Sequence, residues 1–154
     1  MFQHQDISRI VVPVDGSVNS MQAAEYAIVM AEKYASELNI MHVINFGQHL
    51  QALGLYRLSY PDSIKKKIEE AKVEAEGWFS KISTNAKQRN IPIKTDVIDS
   101  TASAVAAIVD YAEQEKADLI IIGTRGRSGI SRTLLGSVAS GVVTYASCPV
   151  LVVK

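Results

Sequence analysis

Apolar and polar positions follow two different periods along this chain. Short continuous apolar runs rich in β-branched residues, such as the four residues at 119–122, are typical of buried strands, whereas apolar residues recurring every three or four positions are typical of helices. Strands are predicted at residues 9–14, 39–44, 91–98, 118–122 and 149–153. Helices are predicted at residues 21–38, 62–88, about 103–115 and 138–146, with irregular chain at 45–60. The predicted N-caps are Ser20 for the first helix and Thr101 or Ser103 for the third.

Strands that alternate with helices favour an α/β fold in which helices cover both faces of a parallel sheet. The whole chain, residues 1–154, is predicted to be a single domain of this kind. In such open sheets, ligands bind beyond the carboxyl ends of the strands, near the point where strand order reverses. Pro13, Val14 and Asp15 end the first strand, Val43 lies toward the end of the second, and Gly123 ends the fourth. If the first and fourth strands are neighbours, these residues converge on one crevice.

A glycine-rich segment after the fourth strand has the spacing of an anion-binding loop. It begins Gly123-Thr124-Arg125-Gly126 and continues, after nine residues, with Gly136-Ser137 at the start of a predicted helix. Glycines allow a ligand to approach backbone N–H groups closely, and a helix N-terminus favours negative charge. The sequence therefore predicts a phosphate-bearing ligand. The predicted contacts in this segment are Gly123, Thr124, Arg125, Gly126, Arg127, Gly136, Ser137 and Val138.

Two simpler interpretations of these residues stay open. The glycine segment can be a flexible turn in which Ser137 caps the helix without any ligand, and its arginines can be solvated loop cations. Asp15 can accept hydrogen bonds from ribose hydroxyls or an exocyclic amine, but Asp-Gly also forms turns in which the carboxylate caps the next segment.

Composition narrows the possible partners. Sixteen basic and sixteen acidic residues cancel, and because no basic stripe alternates with aromatic residues, nucleic acid is not an expected partner. No apolar run approaches the roughly 20 residues needed to cross a bilayer, so no membrane contact is expected. The N-terminus lacks the pattern of a signal peptide, and a cytoplasmic location is expected. The single cysteine, Cys148, is interpreted as structural.

Motifs for catalysis are missing from the sequence. The glycine segment is neither a P-loop nor a dinucleotide-binding fingerprint, and no nucleophile elbow or His/Cys metal pattern occurs. No base or cation can be assigned to attack on a γ-phosphate, so no catalytic or metal-ligating residue is predicted. His42 is expected to be a half-buried strand residue, and Trp78 and Phe79 are expected to anchor the long charged helix to the sheet.

Three motifs in order carry a resemblance to the universal stress protein family, in its ATP-binding branch. They are the N-terminal run Ile10–Ser17 with Ser20 and Ala23, the segment from Leu38 to Val43, and the glycine segment followed by Cys148 to Val153. The resemblance implies a Rossmann-like, flavodoxin-like sheet of order 3-2-1-4-5. It also implies ATP as ligand, with Mg²⁺ held mainly by the phosphates, and places the adenine edge against the backbone of Val43.

The leading hypothesis is thus a small cytoplasmic stress-response or regulatory domain that binds an adenine nucleotide. Two alternatives are a slow ATP hydrolase or phosphoryl-transfer enzyme, and a ligand-free dimeric interaction module. A homodimer is expected through the last strand, from Pro149 to Val153, because an apolar edge strand offers unpaired backbone groups to a second copy. The resemblance implies the same mode of dimerisation.

Overall fold

A computed structural model describes residues 6–55, 60–125 and 135–154 of the chain, and strands alternate with helices along these ranges. The strands are β1 (Arg9–Pro13), β2 (Glu37–Ile44), β3 (Ile93–Asp99), β4 (Leu119–Gly123) and β5 (Val150–Val153). The helices are α1 (Val18–Tyr34), α2 (Phe46–Ala52), α3 (Asp62–Gln88), α4 (Ala104–Gln114) and α5 (Ser137–Tyr145). None of the helices in the described ranges is long and apolar enough to cross a membrane.

The strands form one parallel sheet in the order β3-β2-β1-β4-β5. β1 therefore lies at the centre, with Pro13 opposite Met41 of β2 and Ile10 opposite Leu119 of β4. The predicted α/β class and strand order are both confirmed. Because the first and fourth strands are neighbours, the condition for a shared crevice at their carboxyl ends is met.

Helices cover both faces of the sheet. On one face, α1 and α3 pack on Ile10 and Val12, and on the other, α4 and α5 pack on Val11 and Ile120. α1 approaches the sheet through a row of fully buried small residues, Ala23, Ala24, Ala27 and Ala31. Since alternate residues of β1 face opposite sides, its continuous apolar run is explained by burial on both faces.

α1 begins earlier than the sequence predicts because its N-cap is Ser17, not Ser20. The Ser17 hydroxyl accepts a hydrogen bond from the Ser20 amide at 3.2 Å. Ser20 is buried within the first turn, where its hydroxyl donates to the Ser17 carbonyl at 3.0 Å. The helix also ends earlier, at Tyr34, because Ala35 adopts a left-handed conformation with φ of 54°.

Part of the segment predicted to be irregular, residues 45–60, forms the helix α2. This helix packs on a satellite cluster that contains Ile44, Tyr60 and Ile68, and burial of that cluster overrides the weak local signal. β3 begins at Ile93 rather than residue 91, because the Ile91 amide donates to the Ala86 carbonyl at 3.0 Å and closes the end of α3. Of the two proposed caps of α4, Ser103 is the one observed: it accepts from the Ala106 amide at 3.1 Å.

Candidate functional site

The carboxyl ends of β1, β2 and β4 lie side by side. They bring together the predicted site residues that lie at the ends of these strands. Pro13 ends β1, and Val14 continues it by one hydrogen bond, from its amide to the Met41 carbonyl at 2.8 Å. Gly123 is the last residue of β4. α1 leaves β1 on one face of the sheet, while α4 leads into β4 from the other. This is the topological switch point at which open α/β sheets bind ligands.

Asp15 begins the turn between β1 and α1. One of its carboxylate oxygens, Oδ1, accepts a hydrogen bond from the Ser17 amide at 3.0 Å, and its own amide donates to the Ser20 hydroxyl at 3.2 Å. The turn-capping role considered from the sequence is therefore observed. This hydrogen bond occupies one of the roughly four acceptor positions that an ionised carboxylate has. Asp15 is partly exposed at the carboxyl edge.

Val43 presents its backbone to the space beyond the end of β1. The Met41 carbonyl points toward β1, because it accepts from Val14, whereas the Ile44 carbonyl accepts from Ser100 after β3. Backbone groups of a strand alternate in direction, so the N–H and C=O of Val43 point the same way as those of Met41. At this level the chain after β1 has already turned away into α1. The Val43 peptide groups therefore face the site, and the opposite side of Val43 pairs with Ile98 of β3.

Gly123 and Thr124 join the end of β4 tightly to the start of α1. A Cβ atom on Gly123 would lie 2.8 Å from the backbone of Asn19, so this glycine is needed for close approach of the two segments. The Asn19 side-chain amide donates to the Thr124 hydroxyl at 2.9 Å, and the buried Thr124 amide donates to the Val153 carbonyl. The structure thus uses Thr124 to hold the site together, a role that the sequence did not indicate.

The remainder of the predicted phosphate loop is described at its two ends. Arg125 is partly buried, and its carbonyl accepts from the Ser17 hydroxyl at 3.4 Å. The Gly136 amide donates to the Thr124 carbonyl at 2.7 Å, which brings the N-terminus of α5 next to the end of β4. The predicted contacts Gly126 and Arg127 lie outside the described residues.

α5 begins at Ser137, and its N-cap is Gly136 rather than a serine. The interpretation of Ser137 as the capping residue is therefore wrong, because Ser137 is already the first helical residue. Ser137 and Val138 are both exposed in the first turn. A Cβ on Gly136 would lie 2.8 Å from the Thr124 carbonyl oxygen, so Gly136 serves the contact between the loop ends as well as any ligand.

The turn after β1 is supported by two residues that no sequence motif assigned to the site. Gly16 has φ of +78°, the left-handed region that favours glycine, and a Cβ there would lie 2.3 Å from the ring of Trp78. The half-buried His42 places Nδ1 2.7 Å from the Val14 carbonyl oxygen. The Asp-Gly pair was visible in the sequence, but its contact with α3 had no local signal.

Positive charge at the site comes from the N-termini of two helices. The N-termini of α1 and α5 both lie at this edge of the sheet, and each carries about half a positive charge. No group of three or more His, Cys, Asp or Glu side chains among the described residues is arranged to hold a metal ion. Elsewhere, burial raises the pKa of the Cys148 thiol, as expected of a structural cysteine. The site therefore suits an anion held by backbone amides.

The sequence matches a family of known proteins over nearly its whole length. The model of the universal stress protein family matches residues 6–154. Universal stress protein MJ0531 of Methanocaldococcus jannaschii is 37% identical over 148 residues, which are 95% of this chain and 81% of the relative. Universal stress protein YxiE of Bacillus subtilis is 30% identical over 152 residues, 96% of this chain and 99% of the relative.

Solved structures share the same architecture. The structure of protein MJ0577 is 26% identical with a TM-score of 0.79, and the match covers 97% of each chain. A universal stress protein in complex with cAMP has a TM-score of 0.68 at 24% identity, covering 97% of this chain and 98% of that one. The universal stress protein from Archaeoglobus fulgidus in complex with dAMP has a TM-score of 0.69 at 22% identity, covering 97% and 100%.

Proposed function

This chain belongs to the universal stress protein family, and we propose that it is a small stress-response or regulatory domain that binds an adenine nucleotide, ATP, at the carboxyl edge between β1 and β4. One observation carries the proposal. The Val43 peptide groups and the N-terminus of α5 open onto the same edge of the sheet, one suited to a base and the other to phosphates.

The adenine end of the ligand pairs with Val43 in this proposal. Adenine offers an amine donor beside a ring-nitrogen acceptor, and a peptide C=O and N–H on one side of a strand match that pair. Asp15, two residues beyond the end of β1, accepts hydrogen bonds from the ribose hydroxyls. Pro13 and Val14 line the same end of β1.

The phosphates lie over the loop that joins β4 to α5. The amides at the start of α5 and the hydroxyl of Ser137 donate to them, and the positive ends of α1 and α5 favour their charge. Arg125 extends this contact, and the predicted contacts Gly126 and Arg127 lie outside the described residues. A Mg²⁺ ion that arrives with ATP has the phosphates as its main ligands in this proposal, as the family resemblance implies.

The comparisons support the choice of ligand class. Two structures with this fold hold cAMP and dAMP, which share the adenine base and differ in the sugar and phosphate. A pocket that selects the base through backbone groups tolerates such differences at the phosphate end. ATP is our choice within the class because the sequence motifs resemble those of the ATP-binding branch of the family.

The test is a charge placed at the proposed phosphate position. Ser137→Asp puts a carboxylate in the first turn of α5, where it stabilises the helix by about 0.3–1 kcal/mol but repels phosphate by roughly 1–4 kcal/mol at a distance of a few ångströms. We expect calorimetry to show ATP binding to the unmodified chain and at least about tenfold weaker binding to this variant.

Ser63→Asp is the matched control. Ser63 is exposed in the first turn of α3, so the same charge change is made in the first turn of another helix. Ser63 lies about 22 Å along α3 from Trp78, which is the residue beside the Asp15 turn. The Ser63→Asp substitution should therefore leave ATP affinity unchanged. Equal affinities for Ser137→Asp and the unmodified chain would remove the α5 N-terminus from the proposal. Mass spectrometry of nucleotide released from the purified protein identifies the ligand independently.

We expect bound ATP to turn over slowly or not at all, because no general base is identifiable in the sequence. Enzymes of phosphoryl transfer reach turnover of about 1–100 s⁻¹ with a positioned base and cations. Measuring phosphate release from purified protein checks this expectation. Turnover in that range, lost in the Ser137→Asp variant, would favour the alternative of an ATP hydrolase.

A further inference from the structure

Trp78 contacts the nucleotide-site turn from a helix that carries none of the predicted binding residues. An ideal Cβ on Gly16 would lie 2.3 Å from both Cε2 and Cζ2 of the indole and 2.7 Å from its Nε1. The ring is therefore in van der Waals contact with the Gly16 backbone. It lies over the one residue of the turn whose φ, +78°, is left-handed.

The same indole contacts the residue that holds Val14. Trp78 and His42 meet edge to face, with ring centroids 5.1 Å apart and planes at 87°. His42 Nδ1 lies 2.7 Å from the Val14 carbonyl oxygen. Because a carbonyl only accepts, Nδ1 carries the proton and donates this hydrogen bond. The aromatic pair therefore spans both ends of the segment Val14–Gly16.

Every residue of this short segment is held by a different element. The Val14 amide is bound to β2 through Met41, and the Asp15 amide is bound to α1 through Ser20. Gly16, which has no side chain, is held by contact with Trp78 of α3. Since glycine populates positive and negative φ about equally, contact with the indole favours the left-handed conformation that the turn adopts.

We propose that Trp78 is a positioning residue of the nucleotide site: its indole keeps the Asp15–Gly16 turn in the binding conformation. The inference rests on the proposed function, because it concerns the same site. The alternative role for Trp78 is a core residue alone, since its ring also packs against the apolar cluster between α3 and the sheet. The two roles differ in what truncation of the ring does to nucleotide affinity.

A pair of neighbouring aromatic residues separates the roles. Trp78→Leu removes the ring beside Gly16, while Phe79→Leu removes a ring that is buried in the core on the same helix. If the turn keeps its binding conformation a tenth of the time without the indole, the Kd for ATP rises about tenfold in Trp78→Leu. Phe79→Leu should lower the unfolding midpoint but keep the Kd within about twofold of the unmodified chain. Trp78→Phe, which retains a ring, should recover much of the affinity.

Fluorescence gives a second readout of nucleotide binding beside the indole. Trp78 is the single tryptophan of the chain, so all tryptophan emission reports on its surroundings. We expect ATP to change this emission in the unmodified chain, with a midpoint at the calorimetric Kd. In Ser137→Asp the same change should require more ATP, in proportion to its weaker binding.

The outcomes distinguish failure of this inference from failure of the proposed function. If the unmodified chain binds no adenine nucleotide, the proposed function is wrong and this role of Trp78 is wrong with it. If the unmodified chain binds ATP while Trp78→Leu and Phe79→Leu have the same Kd, only the positioning role is overturned. Thermal unfolding of each variant establishes that the binding measurements are made on folded protein.

Discussion

Tyr111 illustrates how a single side chain depends on charged neighbours in this protein. It is buried in α4, and its hydroxyl donates to Asp96 Oδ2 at 2.5 Å. Lys94 lies 2.7 Å from Glu115 and 3.4 Å from Asp96, completing a cluster near the amino ends of β2 and β3. Burial, followed by the hydrogen bond to Asp96, raises the pKa of Tyr111 far above its usual value. The folded state therefore keeps this phenol protonated.

Tyr111→Phe should lower the free energy of unfolding at neutral pH by about 1.5–3 kcal/mol, because a hydrogen bond to a charged acceptor is lost. The loss should shrink above pH of about 10, where an unfolded tyrosine ionises. The sign follows from linkage: a pKa raised by folding contributes stability below the unfolded pKa and loses it as pH rises toward the folded value. Urea unfolding of both chains at neutral and alkaline pH checks this, and a constant difference would contradict it.

Two glycines within helices show how packing between elements decides what a position tolerates. Around Gly77 of α3, a Cβ would meet open space. At Gly141 of α5, a Cβ would lie 2.6 Å from Val105 Cγ2, because α5 packs closely on α4. The same substitution should therefore have opposite effects at the two positions.

Gly77→Ala should stabilise the protein by about 0.5–1 kcal/mol, since alanine loses less backbone freedom than glycine in a helix. Gly141→Ala should instead destabilise it by roughly 1–3 kcal/mol, because the β-branched Val105 has little room to shift. The two unfolding midpoints, measured under one set of conditions, give the comparison. Stabilisation by Gly141→Ala would mean that α4 and α5 are less closely packed than described.

At the scale of the whole molecule, the sheet ends in an apolar edge. β5 pairs with β4 on one side, and Thr124 donates to the Val153 carbonyl there. Since backbone direction alternates, the N–H and C=O of Val150 and Val152 point away from β4. Leu151 and Val153 pack on the α1 and α3 side of the sheet, and Val150 and Val152 pack on the other. A second copy could extend the sheet by antiparallel pairing of this edge.

We expect a homodimer through β5, with Val152→Pro disrupting it. Proline removes a donor that points outward, so the pairing of β5 with β4 should survive while the contact between copies is lost. Val152→Ala keeps the donor and is the control. Light scattering at micromolar concentration should give twice the 16.8 kDa chain mass for the unmodified chain and for Val152→Ala, and the single mass for Val152→Pro. A monomeric unmodified chain would contradict the expectation.

Local patterns in the sequence were sufficient for most of the elements. The limits of α3 were predicted correctly, because its apolar positions keep helical spacing over 27 residues and Pro61 precedes it. β4 was predicted nearly to the residue, since a continuous β-branched run between turn signals has few other solutions. These signals act between residues a few positions apart, so they can be recognised without knowing the fold.

The site depended on contacts between distant segments, which only the tertiary structure decided. Convergence of Asp15 and Gly123 required β1 and β4 to be neighbours, and strand order, which has no local signature, was predicted only from the family resemblance. Ser17 rather than Ser20 caps α1, because Ser20 is buried against the Asp15 turn. From the sequence alone, two serines three positions apart are equally good candidates for the cap. Trp78 contacts Gly16 although they are far apart in the chain. Such pairings are selected by the packing free energy of the whole domain, which no short stretch of sequence contains.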